Sequence, residues 1–488
     1  MTSPAEGHPR GLYTLFFTEM WERLSFYGMR ALLVLFMVDQ VATGGLGLTD
    51  QTATAIYGIY TAGVYLAALP GGWIADRLLG AQRAILFGGL LIAAGHFVLG
   101  VPAQRTFYLG LVLVVLGTGL LKPNISALVG QLYPEGGARR DAGFTVFYMG
   151  INLGAALGPL VCSSLGEKIN WHYGFAAAGV GMVLGLVQFH LTRHHLGGVG
   201  LSPSAGSKGT LVEWLILAAG ILALVALKAA ALAGWLRLDP VWLAGSMTWL
   251  IVAMAVGYFA WALGLAGLSG VERRRVAVIG VLFVASAMFW AGFEQAGSSL
   301  NLFAERHTLR TLTLVTFEVP AGWFQSLNAV FVIGLAPVVA ALWLALAKAQ
   351  RSPSLAAKVA WGLLLLALGF LVAAIAARQA LASQRVWPTW LVATYLLHTL
   401  GELCLSPVGL SAVTKLSPPR LVGQMMGIWF LATSLGNLLA GLVAGNVSGE
   451  NVAAMPGRFF QIVLTAGGAG LLLLLLARPI RRLSGGVE

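Results

Sequence analysis

The chain has 488 residues, of which 58% are hydrophobic and 10% charged, with a mean hydropathy of +0.83 and a formal net charge of +12. This composition excludes an ordinary soluble domain and indicates a polytopic membrane protein. It also disfavours a nucleic-acid-binding protein, which would need basic residues clustered on a folded polar domain.

Fourteen segments are long and apolar enough to cross a bilayer as helices. They cover residues 13–38, 53–75, 83–102, 107–130, 142–165, 171–192, 211–232, 242–267, 276–303, 322–347, 355–378, 388–414, 421–446 and 457–478. Residues 1–10 are polar and contain no hydrophobic signal region, so we expect the first helix to anchor the chain. We therefore predict an all-α polytopic membrane protein.

The distribution of basic residues predicts an orientation. If both termini are cytoplasmic, eighteen of the thirty Lys and Arg residues fall in inside segments, nine in outside segments and three within the membrane. This asymmetry follows the positive-inside rule. The basic net charge therefore reflects topology, and we expect both termini in the cytoplasm.

Two linkers divide the spans into groups. Residues 194–210 are rich in glycine and serine, and Glu272–Arg275 precedes the ninth span. The two spans between these linkers carry ionisable residues only near their ends, so they have no polar face to line a pathway. We predict a six-helix bundle at 1–193, a linker and inserted two-helix hairpin at 194–275, and a second six-helix bundle at 276–488, with a site near the midplane between the halves.

The first span contains four ionised side chains in an otherwise apolar run: Glu19, Glu22, Arg23 and Arg30. A charge at the centre of a membrane helix costs roughly 2.5–3.5 kcal/mol, so these groups should face a wet cavity and have partners. At about 100° per residue, all four share one face with Phe26 and Tyr27. Snorkelling of helix-end charges is the alternative, but apolar residues continue on both sides of the cluster.

The segment Gly71–Arg83 joins the second and third spans. It resembles the Gly-x-Leu-x-Asp-Arg-x-Gly-Arg loop signature of the major facilitator superfamily. We expect Asp76 to cap a helix start, and Asp76 and Arg77 to form a gating loop whose charge pairs change as the two halves move. An ordinary amphipathic turn is the alternative.

Three further ionised residues interrupt apolar spans: Lys122, Glu294 and Glu402. Left unpaired, the seven groups would together cost about 20 kcal/mol, which exceeds the stability of a typical domain. We therefore expect them to share a hydrated cavity. A static scaffold of charge pairs is the alternative for each of these three, and Pro123 could mark a helix break beside Lys122.

Four motifs follow one another along the chain. They are Glu19-x-x-Glu22-Arg23 followed by Tyr27-Gly28, the run 147–154, Phe289-Trp290 before Glu294-Gln295, and Glu402 before the run 406–411. Together they resemble the proton-dependent oligopeptide transporter family of the major facilitator superfamily, in its prokaryotic form with an inserted hairpin. Phe26 is a departure, because the family usually has tyrosine there.

The resemblance implies a proton-coupled symporter that imports di- and tripeptides by alternating access. It assigns proton coupling to Glu19, Glu22, Arg23, Glu294 and Arg30. It assigns the peptide carboxylate to Arg30 and Lys122, and the ammonium to Glu402. Hydrogen bonds to the peptide backbone would come from Asn152 and Asn328, and the pocket would be lined by Tyr27, Tyr65, Trp290, Trp429 and Thr433. The alternatives are polar packing between helices for the two asparagines and core or lipid packing for the aromatic residues.

A small peptide carries opposite charges at its two ends, so a promiscuous carrier should clamp both termini with opposite charges. The expected partners are di- and tripeptides, protons and the lipid bilayer, with no nucleic acid. We expect no cofactor and no metal, because the proton gradient drives transport. The expected protein is a monomer in the bacterial cytoplasmic membrane.

Other functions stay open at this point. The chain could carry another small solute, such as nitrate or an amino-acid conjugate, or could be a substrate sensor that no longer transports. An intramembrane enzyme is disfavoured because the sequence has no His-Glu-x-x-His motif, no Gly-x-Ser-x-Gly elbow and no Asp pair at catalytic spacing. Cys162 and Cys404 lie in apolar stretches and should be reduced packing residues. His398, one turn before Glu402, could titrate near neutral pH, but we expect it to pack between helices.

Overall fold

The computed structural model describes residues 7–135, 137–203, 209–235, 239–312, 317–445 and 449–485. The linker residues 204–208 and the C-terminal Glu488 lie outside this part of the chain. The helices are α1 (Arg10–Val38), α2 (Asp50–Ile74), α3 (Ala81–Leu99), α4 (Gln104–Gln131), α5 (Gly137–Lys168), α6 (Trp171–Thr192), α7 (Leu211–Leu232), α8 (Pro240–Gly264), α9 (Gly270–Phe293), α10 (Ser299–His307), α11 (Ser326–Lys348), α12 (Leu355–Ser383), α13 (Thr389–Leu416), α14 (Val422–Gly445), α15 (Met455–Leu475) and α16 (Ala477–Leu483). Two short strands, β1 (Thr311–Leu312) and β2 (Phe317–Glu318), pair antiparallel.

The predicted spans all coincide with helices of the described residues, which confirms the all-helical fold. Twelve helical segments there are long and apolar enough to cross a membrane. Two predicted spans are not among these twelve. They are α1, whose ionised residues interrupt its apolar run, and α7, whose described apolar stretch is Leu211–Leu227. The ninth predicted span contains both α9 and α10, because a 3-10 turn at Glu294–Gly297 separates them.

Contacts between Cα atoms divide the chain into two compact units. The first unit contains Met1–Leu32 and Gly63–Asp239, and the second contains Leu33–Ala62 and Pro240–Glu488. One arm of the inserted hairpin, α7, therefore belongs to the first unit, and the other arm, α8, belongs to the second. The predicted domain boundaries at 193/194 and 275/276 stay a prediction.

In the first unit, α3 packs against α4 and α6, and α5 packs against α6. A buried apolar cluster fills this bundle; its members include Leu12, Leu15, Ile92, Leu121, Ile125, Phe147, Met182 and Phe189. The helix α4 continues through Pro123, so the helix break considered beside Lys122 is wrong. A membrane helix tolerates a backbone N–H that is missing at a proline, because neighbouring groups satisfy the freed carbonyl oxygen.

Small residues bring α1 directly onto α5. A methyl group added at Gly154 would overlap the Met20 carbonyl oxygen and lie 2.9 Å from the Arg23 Cβ. A methyl group added at Gly158 would lie 2.8 Å from the Gly28 backbone nitrogen. Glycines spaced four residues apart allow such backbone approach between membrane helices. This contact sets the position of α1, and therefore of its charged face, along α5.

In the second unit, α12 packs against α13 and α15, while α8 and α9 pack against α14. The N-terminal half of α2 also belongs here and meets α14 backbone to backbone. A methyl group added at Gly58 would lie 3.1 Å from the Asn437 carbonyl oxygen, and one added at Gly441 would lie 2.5 Å from the Thr54 carbonyl oxygen.

The two cysteines and the helix-packing histidine behave as predicted. Cys162 and Cys404 are both buried free thiols. His398 is buried, and its ring lies 4.8 Å from the Phe370 ring, centroid to centroid. These three side chains are therefore part of the packed helix interfaces.

Candidate substrate and proton sites

The charged face of α1 forms a buried ion cluster. Arg23 Nε donates a hydrogen bond of 2.7 Å to Glu19 Oε1 and lies 3.1 Å from Glu22 Oε2. The exposed fractions of Glu19, Glu22 and Arg23 are 1%, 0% and 4%. Two carboxylates that share one guanidinium have a net charge of −1 when both are ionised. A single proton therefore neutralises the cluster.

Burial strengthens the interactions within this cluster. In a low-dielectric setting the two carboxylates repel each other, and both are attracted to the Arg23 guanidinium. The helical spacing of Glu19, Glu22 and Arg23 was enough to predict that they meet, because residues three and four apart lie on one helix face.

Two more cations of the first unit each lie against a tyrosine. The Arg30 guanidinium is 5.6 Å from the centre of the Tyr27 ring, and Lys122 Nζ is 4.1 Å from the centre of the Tyr65 ring. Arg30 is buried, whereas Lys122 is half-buried. Cation–π contacts of this kind hold a positively charged side chain in place against an aromatic ring.

The structure also explains Phe26. Its ring lies 5.9 Å from the Arg23 guanidinium and stands edge-on to Tyr27. Such a contact needs an aromatic face and no hydroxyl. Although the family usually has tyrosine at this position, Phe26 therefore keeps the aromatic contact with Arg23 of the ion cluster.

Asn152 is buried on α5 and donates its side-chain amide to the Tyr148 carbonyl oxygen of its own helix at 2.9 Å. This bond uses one of its two N–H groups. The predicted role of Asn152 toward a peptide backbone stays a prediction.

The predicted gating loop continues α2 as a helical turn. A π-helical segment covers Ala75–Leu79, and Gly80 is the N-cap residue of α3. The expectation that Asp76 caps α3 is therefore wrong, because the helical turn carries the chain past Asp76 before α3 begins. Arg77 Nη1 lies 3.5 Å from Glu213 Oε1, at the start of the inserted hairpin.

The linker after α6 is fixed to this loop. The Gln82 side chain donates to the carbonyl oxygens of Val199 at 2.7 Å and Gly197 at 3.3 Å, and its backbone N–H donates to that of Gly200 at 3.0 Å. Gln82 is itself buried. The loop between α2 and α3 thus binds the linker as well as the first residues of the hairpin.

The second unit presents a carboxylate with an amide and a hydroxyl beside it. Asn328 Nδ2 donates to Glu402 Oε2 at 2.9 Å and to Thr399 Oγ1 at 3.1 Å. Glu402 and Asn328 are both half-buried. Asn328 and Glu402 were separate predictions, and the structure brings the two side chains together.

Glu294 ends α9 at the point where the span breaks. It is buried, and the turn that follows it is held by two tyrosines. Tyr57 donates to the Glu294 carbonyl oxygen at 3.5 Å, and its ring packs on Gly297. Tyr395 donates to the Ala296 carbonyl oxygen at 3.3 Å. These bonds satisfy carbonyl groups that an unbroken helix would have used internally.

The aromatic candidates of the second unit pack closely. Trp290 stands edge-on to Phe289 and Phe293. The Trp429 indole packs onto Gly409 of α13. Both Trp429 and Thr433 of α14 are buried. Their predicted role in lining a pocket stays a prediction.

Several contacts could not be found in the sequence. Tyr57 and Glu294 are 237 residues apart, and Thr399 resembles any other helix threonine. A bidentate ion pair joins Arg306 and Asp50, with Nη1 to Oδ2 at 2.6 Å and Nη2 to Oδ1 at 2.9 Å. For the helix break after Glu294, the only local sequence signal was the run Gly297-Ser298-Ser299, which weakens a helix.

Comparison with known proteins identifies the family of this chain. The model of the POT family matches residues 82–455. The chain belongs to the POT family. Peptide transporter YePEPT of Yersinia enterocolitica is 44% identical over 492 aligned residues, which cover 98% of this chain and 95% of that protein. The Di-/tripeptide transporter of Lactococcus lactis subsp. cremoris is 36% identical, with 99% of this chain and 98% of that protein covered.

A crystal structure of a peptide transporter POT in complex with sulfate matches this POT chain with a TM-score of 0.90 and 42% identity, covering 99% of this chain and 97% of the other. The chain thus has the major facilitator fold. It is a multi-pass membrane protein, and the family and these relatives are transporters.

Proposed function

We propose that this POT family member is a proton-coupled symporter that imports di- and tripeptides by alternating access. It acts as a monomer in the bacterial cytoplasmic membrane, with both termini in the cytoplasm and with no cofactor. The names of the relatives support small peptides as substrates. The observation that carries the proposal is the buried cluster of two carboxylates on one guanidinium, which one proton neutralises.

Proton and peptide are coupled through charge. Protonation of Glu19 or Glu22 changes the field at Arg23 and along the same helix face, where Arg30 lies. Two ligands that each alter the binding of the other are linked thermodynamically, so a proton gradient can drive peptide accumulation. Glu294 takes part through Arg30: ionised, it holds the guanidinium, and protonated, it releases Arg30 to the peptide carboxylate.

The peptide termini are recognised by opposite charges. Arg30 and Lys122 bind the carboxylate, and Glu402 binds the ammonium. Asn152 and Asn328 contribute hydrogen bonds to the peptide backbone, while Tyr27, Tyr65, Trp290, Trp429 and Thr433 line the space for side chains. Asp76 and Arg77 change partners as the halves move, and the Arg77–Glu213 pair is one such partnership.

The test of proton coupling uses purified protein in liposomes with a pH-sensitive dye inside. Addition of a dipeptide should acidify the lumen, and an imposed gradient should drive accumulation. Glu22→Gln should abolish accumulation while peptide-for-peptide exchange stays measurable. Glu135→Gln is the matched control, because Glu135 is exposed and forms a surface pair with Arg139 at 3.4 Å. Normal uphill accumulation by Glu22→Gln would refute the proposed coupling.

The test of the ammonium site is competition against a labelled dipeptide. Leaving a buried charge without its partner costs about 2–5 kcal/mol, so Glu402→Ala should weaken binding roughly 30-fold to several-thousand-fold. N-acetylated dipeptides should compete poorly with the native protein. Equal competition by free and acetylated peptides would remove Glu402 from the site, and stronger competition by nitrate or single amino acids would assign one of the alternative substrates.

A further inference from the structure

The Asn328 side chain lies beside two hydrogen-bonding residues of α13. Asn328 Nδ2 lies within hydrogen-bond distance of two atoms on α13, Thr399 Oγ1 at 3.1 Å and Glu402 Oε2 at 2.9 Å. An asparagine amide presents N–H donors on one side and an oxygen acceptor on the other. Its orientation therefore depends on what each neighbour can accept or donate.

The Thr399 hydroxyl can only accept from Asn328. A hydroxyl has a single proton, and that of Thr399 is donated to the Tyr395 carbonyl oxygen at 2.7 Å. Thr399 is completely buried, so this bond has no water competing for it. The NH2 group of Asn328 must then face α13, and its Oδ1 must point away from α13.

Glu402 alone would not hold this orientation in every state. As a free carboxylate it also accepts from the NH2 group, but once it binds an ammonium group or a proton, its preference for the Asn328 donors falls. Thr399 remains an acceptor toward Asn328, because its hydroxyl proton stays hydrogen-bonded to the Tyr395 carbonyl oxygen. The amide orientation is therefore maintained while the charge at Glu402 changes.

We propose that Thr399 is a positioning residue that fixes Asn328 Oδ1 as an acceptor for an N–H group at the amino-terminal end of the substrate. This inference rests on the proposed ammonium site at Glu402. Its chemical consequence is a preference for ligands that donate at that end, because a carbonyl oxygen placed there would meet the Asn328 oxygen. The amine end of the substrate is thus recognised by a charge and by an oriented dipole.

The experiment measures a selectivity ratio. For each variant, inhibition constants are determined for a free dipeptide and for its desamino analogue, in competition with a labelled dipeptide. Thr399→Val removes the hydroxyl and preserves the branched shape. The ratio is the inhibition constant of the desamino analogue divided by that of the free dipeptide. Thr399→Val should lower this ratio about 3- to 10-fold, the range expected for one hydrogen bond. A purely structural defect would weaken both ligands equally and leave the ratio unchanged.

Two controls accompany this variant. Thr399→Ser retains the hydroxyl and should retain the ratio. Thr394→Val removes a buried hydroxyl from the same helix, whose oxygen lies 2.9 Å from the Trp390 carbonyl oxygen and 3.3 Å from that of Gly369. This variant should also retain the ratio. If Thr399→Val fails to fold, Thr399→Ala removes the same hydroxyl with less bulk and is measured instead.

The outcomes separate this inference from the proposed function. A lower ratio in Thr399→Val, with both controls unchanged, supports the positioning role. If Glu402→Ala lowers the ratio but neither hydroxyl-deleting variant at Thr399 does, the positioning role is wrong and the ammonium site stands. If Glu402→Ala also leaves the ratio unchanged, the ammonium site and the inference fall together.

Discussion

Replacement of Gly154 by alanine tests whether the close approach of α1 and α5 supports the ion cluster. The added methyl group would overlap the Met20 carbonyl oxygen and lie 2.9 Å from the Arg23 Cβ. Favourable carbon–carbon contacts begin at about 3.5 Å, so Arg23 would have to retreat by at least about 0.6 Å. The overlap is with backbone atoms, which cannot move aside as a side chain can.

The expected cost follows from this geometry. Forcing an extra methyl group into a packed interface typically destabilises a protein by about 1–3 kcal/mol. We expect the free energy of unfolding of Gly154→Ala to fall by that amount. We also expect gradient-driven peptide accumulation to fall, because α1 moves together with Glu19, Glu22 and Arg23. Denaturation of the purified protein in detergent and accumulation in proteoliposomes measure the two effects.

Gly220→Ala is the matched control. Gly220 lies within α7, and a methyl group added there meets no atom within 4 Å. Alanine is the better helix former by about 0.5–1 kcal/mol, so this variant should be as stable as the native protein or slightly more so. If Gly154→Ala unfolds at the same denaturant concentration as the native protein, the backbone contact does not support the cluster and our reasoning from distances is wrong.

Three further predictions concern two charged sites and the membrane topology. Glu294→Gln should lose the acid dependence of transport, and a wild-type rate across the acidic range would contradict its role in releasing Arg30. Asp50→Arg and Arg306→Asp should each lower the thermal midpoint, and the double exchange should restore most of the loss, whereas additive losses would show that the pair contributes nothing. Reporter fusions after Glu488 and within 194–210 should both report a cytoplasmic location, and an external signal from either would overturn the proposed topology.

Much of the helical architecture could be predicted because hydropathy is a local property. A run of about twenty apolar residues predicts a span whatever it packs against. The cluster on α1 was predictable for a related reason, since Glu19, Glu22 and Arg23 lie within two turns of one helix. Even the linkers around the hairpin were visible as changes in composition.

The rest depends on partners that are distant in the sequence. The break after Glu294 is held by hydroxyl groups of Tyr57 and Tyr395, and neither tyrosine lies near it in the chain. The orientation of the Asn328 amide depends on the Thr399 hydroxyl, which donates its proton to the Tyr395 carbonyl oxygen. No residue pattern in the sequence encodes that choice of acceptor. The expected cap at Asp76 was wrong because the sequence does not show how far α2 continues.

The contact between α2 and α14 has a mechanical consequence. At Gly58 and Gly441 the two backbones touch with no side chain between them, so no knob must leave a hole when the helices part. At these two glycines no side-chain rotamer has to change for the helices to separate, whereas the hydrogen bond of 3.1 Å from Ser434 Oγ on α14 to the Ala62 carbonyl oxygen of α2 has to break. We expect a larger side chain at either glycine to lower the transport rate more than the affinity for peptide. The absence of side chains at these two positions would then help to set the rate of transport.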